Sequence, residues 1–178
     1  MILAKICVLG DISVGKTSLI RRYVDREFSD AYLSTVGVKI SRKFVKLAGV
    51  HDESPREIQM VLWDLEGGST FHDVSESYLQ GAHAAVIVGD LTRLDTIDRI
   101  ENHLDHFLKV NPRAWAVVAL NKSDALAEKP DLSSNSWDSR KAVIQTMCTS
   151  ARSGEGVDRL FEEIGLHLIS EHTDGPAR

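Results

Sequence analysis

GDISVGKT, Gly10 to Thr17, is the stretch on which the reading turns. It matches G-x-x-x-x-G-K-[ST]. An apolar run, ILAKICVLG, precedes it, and a stretch of helical character, VGKTSLIRRYVDREF, follows it. In that setting the glycines let the backbone curl until successive N–H groups point inward. The positive end of the helix dipole faces the same hollow. Such a loop takes phosphate. Lys16 reaches toward the β- and γ-phosphates of a nucleotide, and the Thr17 hydroxyl is a ligand for Mg2+.

Outward from the loop, apolar runs alternate with amphipathic stretches. VKISRKFVKL and EIQMVLWDL read as two strands joined through AGVHDESP, whose Gly and Pro mark a hairpin loop. AAVIVGDL and AWAVVAL are continuous apolar strands, as in a sheet covered on both faces. Between them, RLDTIDRIENHLDHFLKV spaces Leu94, Ile97, Ile100, Leu104, Phe107 and Leu108 as on one helix, with Pro112 beyond its end. EKPDLSSNSWDSR is loop-like with room for one short helix. KAVIQTMCTS is a last strand, and GVDRLFEEIGLHLIS a last amphipathic helix. The alternation predicts an α/β fold with a mostly parallel sheet and helices on both faces. Ligands of such sheets bind beyond the carboxyl ends of the strands, so the chemistry is expected in the loops after strands.

Three further motifs lie in such loops. NKSD, Asn121 to Asp124, follows AWAVVAL. An Asp carboxylate accepts two parallel hydrogen bonds from guanine N1–H and its exocyclic amine. Adenine has no such donor pair and would leave the carboxylate unpaired. TSAR, Thr149 to Arg152, ends the last strand, where a backbone N–H is placed to donate to guanine O6. DLEG, Asp64 to Gly67, ends a strand and puts an Asp where one linked to Mg2+ belongs. Thr35, in YLSTVG, offers a hydroxyl to complete the Mg2+ shell when a γ-phosphate is present.

The bulk properties agree. The chain has 178 residues, of which 43% are hydrophobic, enough for one domain with a sizeable core. Twenty-one basic against 26 acidic residues give a formal charge of −5, which argues against a non-specific nucleic-acid binder. Cys7 and Cys148 read as buried, reduced thiols, and most of the seven histidines as lying on solvated faces. No run approaches the ~18 apolar residues of a membrane span. The C-terminal EHTDGPAR has no cysteine to lipidate. The expectation is a cytoplasmic protein with no direct lipid anchor, recruited to membranes only through a partner.

GDISVGKTSLIRRYVDREF, YLSTVGV, WDLEGG with SYLQGAHAAVIVGDLT, NKSD and TSAR, in this order and spacing, resemble the Ras superfamily of small GTPases and, within it, the Rab-like branch. The resemblance runs from about residue 3 to 170. It implies a P-loop NTPase G domain with a six-stranded sheet over residues 1–172, with 173–178 a short polar tail. It implies that Gly10, Asp11, Ile12, Ser13, Val14, Gly15, Lys16, Thr17 and Ser18 surround the phosphates, with Phe28 against the base. Thr17 and Thr35 would bind Mg2+, with Asp64 reaching it through water, and the Gly67 N–H would touch the γ-phosphate. Asn121, Lys122 and Asp124 would read guanine beside Ser150, Ala151 and Arg152. The implied ligands are GTP or GDP with Mg2+. The implied partners are an effector, met through residues about 29–45 and 63–78, and an exchange factor and a GTPase-activating protein. Two switch loops, roughly 29–39 and 66–78, would be held through Thr35 and Gly67 only while a γ-phosphate is present.

Several departures from the family pattern bear on activity. Gly68 stands where relatives carry the Gln that orients the attacking water. Ile12 brings a branched side chain where a small residue is usual, next to the γ-phosphate. Lys39 and Ile40 replace an Asp-Phe pair, and the hairpin loop from Gly49 to Pro55 is several residues longer than is typical. The non-lipidated layout and WDLEGG also fit Ras-like GTPases of bacteria. Slow hydrolysis is therefore expected, with Lys16, Thr35 and Gly67 as the catalytic set. The other outcome is a module that stays GTP-bound and serves as a scaffold. Glu66 is a candidate substitute for the Gln, though a solvated loop residue is the plainer reading, and His72 is a more remote one. Trp63 and Tyr78 match two aromatics of the effector patch, with Ile40 in the third place; packing is the plainer role for Trp63 and Trp115. Trp137 reads as a local anchor, and Arg21 and Arg22 as a solvated helix face.

Overall fold

The computed structural model describes residues 1–29, 37–48, 55–65, 76–128, 130–131 and 135–173. Six strands form one sheet: β1 (Ile2–Leu9), β2 (Val38–Ala48), β3 (Pro55–Leu65), β4 (Ala84–Asp90), β5 (Trp115–Asn121) and β6 (Val143–Cys148). Their order is β2-β3-β1-β4-β5-β6. β2 runs antiparallel to β3, from Val38 opposite Leu65 to Ala48 opposite Pro55, and every other pair is parallel. All seven residues of β4 are buried, as expected of a strand covered on both faces. This is the mostly parallel α/β sheet that the sequence predicts, in the arrangement of a P-loop NTPase G domain.

The described helices are α1 (Lys16–Asp25), α2 (Glu76–Leu79), α3 (Leu94–Asp98), α4 (Ile100–Val110) and α5 (Val157–Thr173). Strand alternation divides the core in two. Ala4, Ile6 and Val8 of β1 face α1 and α5, where Tyr23 stacks on Phe161 with ring centroids 4.2 Å apart. Cys7 and Leu9 face the other way, against Leu104 and Phe107 of α4. None of the described helices is long and apolar enough to cross a membrane.

Three expectations need correction. The stretch expected as one helix is two, α3 and α4, divided at Arg99. Leu94 is 74% exposed rather than core. It opens the short α3, which buries Thr96 instead. Cys148 is only half-buried, whereas burial pushes the Cys7 thiol up to about 12. His103 is the buried one among the described histidines, an exception that an expectation for most of them allows.

The plain readings of two tryptophans hold. Trp137 is buried on the 3-10 turn Ser136–Ser139 and donates to Thr146 Oγ1 at 3.1 Å. Trp115 packs edge-on to His167 with centroids 4.2 Å apart.

Candidate nucleotide site

The topology fixes where a ligand belongs. The chain leaves β1 for α1, β2 and β3 on one side of the sheet, and then crosses to β4 on the other. The switch point lies between the carboxyl ends of β1 and β4, where ligands of such sheets bind. Gly10 to Gly15 bridge β1 to α1 at that point. A Cβ on Gly10 would stand 2.3 Å from the Val88 carbonyl oxygen, and one on Gly15 2.3 Å from Asn121 Nδ2. Both glycines hold positive φ, +142° and +103°, so no other residue fits either place. Ser13 accepts φ 62° without being glycine, a strained loop position.

α1 starts without a side-chain cap and without an acid in its first turn. Its N-terminal dipole end is therefore offered to an anion from outside the helix. Lys16, buried, folds back over the loop, and its Nζ donates to the carbonyls of Gly10 and Asp11, each at 2.8 Å. An ammonium is thus held against two backbone carbonyls at the start of the loop. Thr17 Oγ1 donates to Asp64 Oδ2 at 2.7 Å, and Asp64 is buried at the end of β3. A hydroxyl and a carboxylate are the hard oxygen donors that Mg2+ takes, and it is content with few protein ligands. The pair fits that ion, although no cluster of three or more His, Cys, Asp or Glu exists among the described residues.

On the far side, NKSD and TSAR form a second loop pair. Asn121 lies buried at the end of β5. Its Nδ2 donates to the Val14 carbonyl at 2.9 Å, and its Oδ1 accepts from Ala151 N at 3.2 Å and Thr149 Oγ1 at 3.3 Å. Both ends of the amide are thereby assigned. Asn121 thus ties the phosphate loop to the TSAR loop, and the second N–H of its amide is left over from these contacts. Asp124 is different. Ser150, fully buried, donates to its Oδ1 at 2.6 Å, and the carboxylate is otherwise exposed. Lys122, at φ 66°, sends its Nζ to Asp90 Oδ2 at 2.6 Å. Burial alone would raise the Asp90 carboxyl, but hydrogen bonds from Lys122 and Thr92 outweigh it and hold it below the usual carboxylate range.

Arg22 corrects the reading of a solvated helix face. Its Nε donates to the Ala151 carbonyl at 2.7 Å, and its guanidinium also reaches the Arg152 carbonyl, so α1 is pinned to the TSAR loop. Its charge lies 5.8 Å from the centroid of the half-buried Phe28 ring. Arg93, after β4, donates to the Ile12 carbonyl at 2.7 Å and pairs with Asp90 Oδ2 at 3.2 Å. The Ile12 side chain itself is exposed. Asp90, Arg93, Arg99 and His103 all touch the site or its loop, and none was singled out in the sequence. The described structure thus gathers Gly10 to Ser18, Phe28, Asp64, Asn121 to Asp124 and Ser150 to Arg152 at the carboxyl end of the sheet. Thr35, Glu66, Gly67, Gly68 and His72 lie outside the described residues.

A glycine-bounded loop with a buried lysine, at the switch point of a six-stranded mostly parallel sheet, defines a P-loop nucleotide-binding fold. Comparison with known proteins goes one step further. A family profile described as "Roc, Ras of Complex, Roc, domain of DAPkinase" matches residues 5–124. Ras-related protein Rab-1C of Dictyostelium discoideum is 31% identical over 170 residues, covering 93% of this chain and 81% of the relative. Ypt/Rab-type GTPase YPT7 of Saccharomyces cerevisiae is 33% identical over 94% of this chain and 82% of its own. Ras-related protein Rab7 of Glycine max is 32% identical over 96% and 84%. The chain belongs to the Ras-like small GTPases.

Proposed function

We propose that this protein is a Rab-like guanine-nucleotide switch that binds GDP and GTP with Mg2+ and hydrolyses GTP slowly. The observation that carries the reading is the joint placement of Lys16 over the phosphate loop and of Asp124, steadied by Ser150, at the base side. Thr17 and Asp64 would hold Mg2+, which neutralises phosphate charge as it develops; Thr35 would join them when GTP is bound. Lys16 steadies the β- and γ-phosphate oxygens, and the Gly67 N–H the γ-phosphate. Asp124 selects guanine, while Asn121 and Lys122 act by holding the loops that frame the base.

Slow hydrolysis follows from Gly68, which has no side chain to orient water. Even family members that keep the Gln turn over unaided at only about 10⁻⁴ to 10⁻³ per second. Single-turnover hydrolysis of pre-bound GTP, with and without Mg2+, tests the reading. Conversion to GDP over hours, dependent on Mg2+, is expected. Gly68→Gln is expected to raise that rate about tenfold by restoring a water-positioning amide. A rate unchanged or lowered by Gly68→Gln would count against this assignment of Gly68. GTP kept intact without turnover in both proteins favours the scaffold reading, for which the branched Ile12 side chain is the supporting observation.

An effector face is read at the β2–β3 end of the sheet. Ile40 is exposed there beside Trp63, its partner in register, and the Trp63 and Tyr78 rings lie 6.5 Å apart. Phe44, 67% exposed, extends the apolar surface along β2.

A further inference from the structure

The phosphate loop is gripped from a direction that the nucleotide contacts do not require. Asp11, the second residue of the loop, is only 5% exposed, yet each of its carboxylate oxygens has a partner. Arg99 Nε meets Oδ2 at 2.8 Å, and His103 Nε2 meets Oδ1 at 2.8 Å. A carboxylate accepts, so His103 must donate from Nε2. Burial pushes its imidazole below the ordinary value, against the pull of Asp11. Arg99 supplies a fixed positive charge beside Asp11. Arg99 stands at the joint between α3 and α4, and His103 one turn on. The single Nε–H donates to the Asp95 carbonyl at 3.0 Å, so Arg99 meets Asp11 as an ion pair, and the guanidinium also pairs with the Asp95 carboxylate, which fixes it from outside. The next loop residue, Ile12, is held through its carbonyl by Arg93. Lys16 takes the carbonyls of Gly10 and Asp11 from within the loop.

We propose that Arg99 and His103 are positioning residues for the phosphate loop: by holding the Asp11 carboxylate they set the loop before a nucleotide arrives and slow its release. The proposal rests on the nucleotide-binding reading but not on hydrolysis or on guanine selectivity. Its physical basis is preorganisation. The loop gives its N–H groups to phosphate, so any freedom it regains when the clamp opens must be removed again on binding. Arg99 is the member of the clamp that solvent reaches, at 32% exposure. His103 and Asp11 are sealed beneath it.

The test uses the whole chain loaded with fluorescent analogues of GDP and, separately, ADP, and reads the release rate. Arg99→Leu leaves a buried carboxylate short of its charge partner and is expected to speed GDP release about tenfold. His103→Leu is expected to speed it several-fold, while His103→Gln, which keeps a donor, stays near wild type. Asp11→Asn combined with Arg99→Leu should release no faster than Asp11→Asn alone, because Arg99 acts through Asp11. The 31P resonance of the GDP β-phosphorus should move in Arg99→Leu. It should not move in Trp137→Phe, which loses a buried hydrogen bond outside this cluster. Wild-type release from Arg99→Leu, or effects of Asp11→Asn and Arg99→Leu that simply multiply, would overturn the proposal. If Arg99→Leu does not fold, the split between His103→Leu and His103→Gln decides, and equal rates for those two would refute it. A wild type that holds ADP in place of GDP ends the guanine reading, and the clamp is then judged on ADP release. A wild type that holds neither ends both.

Discussion

Lys16→Met is expected to weaken GDP and GTP binding about a thousandfold while leaving GMP within a few-fold of wild type. Hydrogen bonds to charged groups contribute about 1.5–3 kcal/mol each. Two of them, to β- and γ- or β-phosphate oxygens, make roughly 4 kcal/mol, which is about a thousandfold. The control matters because Nζ already has work in the protein, donating to the Gly10 and Asp11 carbonyls. Methionine keeps the buried stem and removes only the ammonium, so the loop loses two internal bonds together with the phosphate contact. GMP lacks the phosphates that Lys16 reaches. Calorimetric titration with all three nucleotides separates the causes. A loss for GDP and GTP with GMP spared means a missing phosphate contact. A loss shared by GMP means that the loop has opened as a whole, and the assignment of Lys16 to phosphate would be withdrawn.

How much of this was legible in the sequence depends on distance along the chain. The phosphate loop is contiguous, and its glycines are forced by approaches of 2.3 Å, to the Val88 carbonyl at Gly10 and to the Asn121 amide at Gly15, so eight residues carry the whole signal. The strands were legible because buried parallel strands are unbroken apolar runs, as in β4 and β5. The pairing of Asp11 with Arg99 and His103 was not legible. Its partners lie far apart in sequence, and charged or polar residues four apart on a helix usually mark a solvated face. A faint signal existed: on a helical projection Arg99 and His103 flank the Ile100–Leu104–Phe107 stripe on one side, where a side chain can reach past the core. Asn121 was legible as part of NKSD, but its task was not. Only the geometry shows its amide spent on Val14, Thr149 and Ala151. Arg22 misled for the opposite reason, since its acceptors are backbone carbonyls, which no side-chain pattern announces.

Asp124→Ala is expected to lower GDP affinity roughly a hundredfold and to erase the preference for GDP over inosine diphosphate. Guanine offers Asp124 two donors, N1–H and the exocyclic amine. Two charge-assisted bonds, partly offset by rehydration of the base, contribute about 3 kcal/mol. Hypoxanthine keeps N1–H and lacks the amine, so the wild type should hold inosine diphosphate about tenfold more weakly than GDP. Without the carboxylate neither donor has a partner and the two nucleotides should bind alike. The four affinities form a cycle that isolates the amine–carboxylate contact from everything else that the substitution does. The substitution itself is mild for the fold, because Asp124 is exposed and its carboxylate accepts from Ser150 Oγ among the described residues. Ser150→Ala gives the complementary result. The carboxylate stays but loses the donor that orients it, and a loss of only a few-fold is expected, with the preference for GDP retained. Should Asp124→Ala still prefer GDP over inosine diphosphate, guanine is being read elsewhere, and the backbone of Ser150 to Arg152 becomes the place to look. Should the wild type show no preference, the protein reads phosphates alone and the switch assignment fails at its base-recognition step.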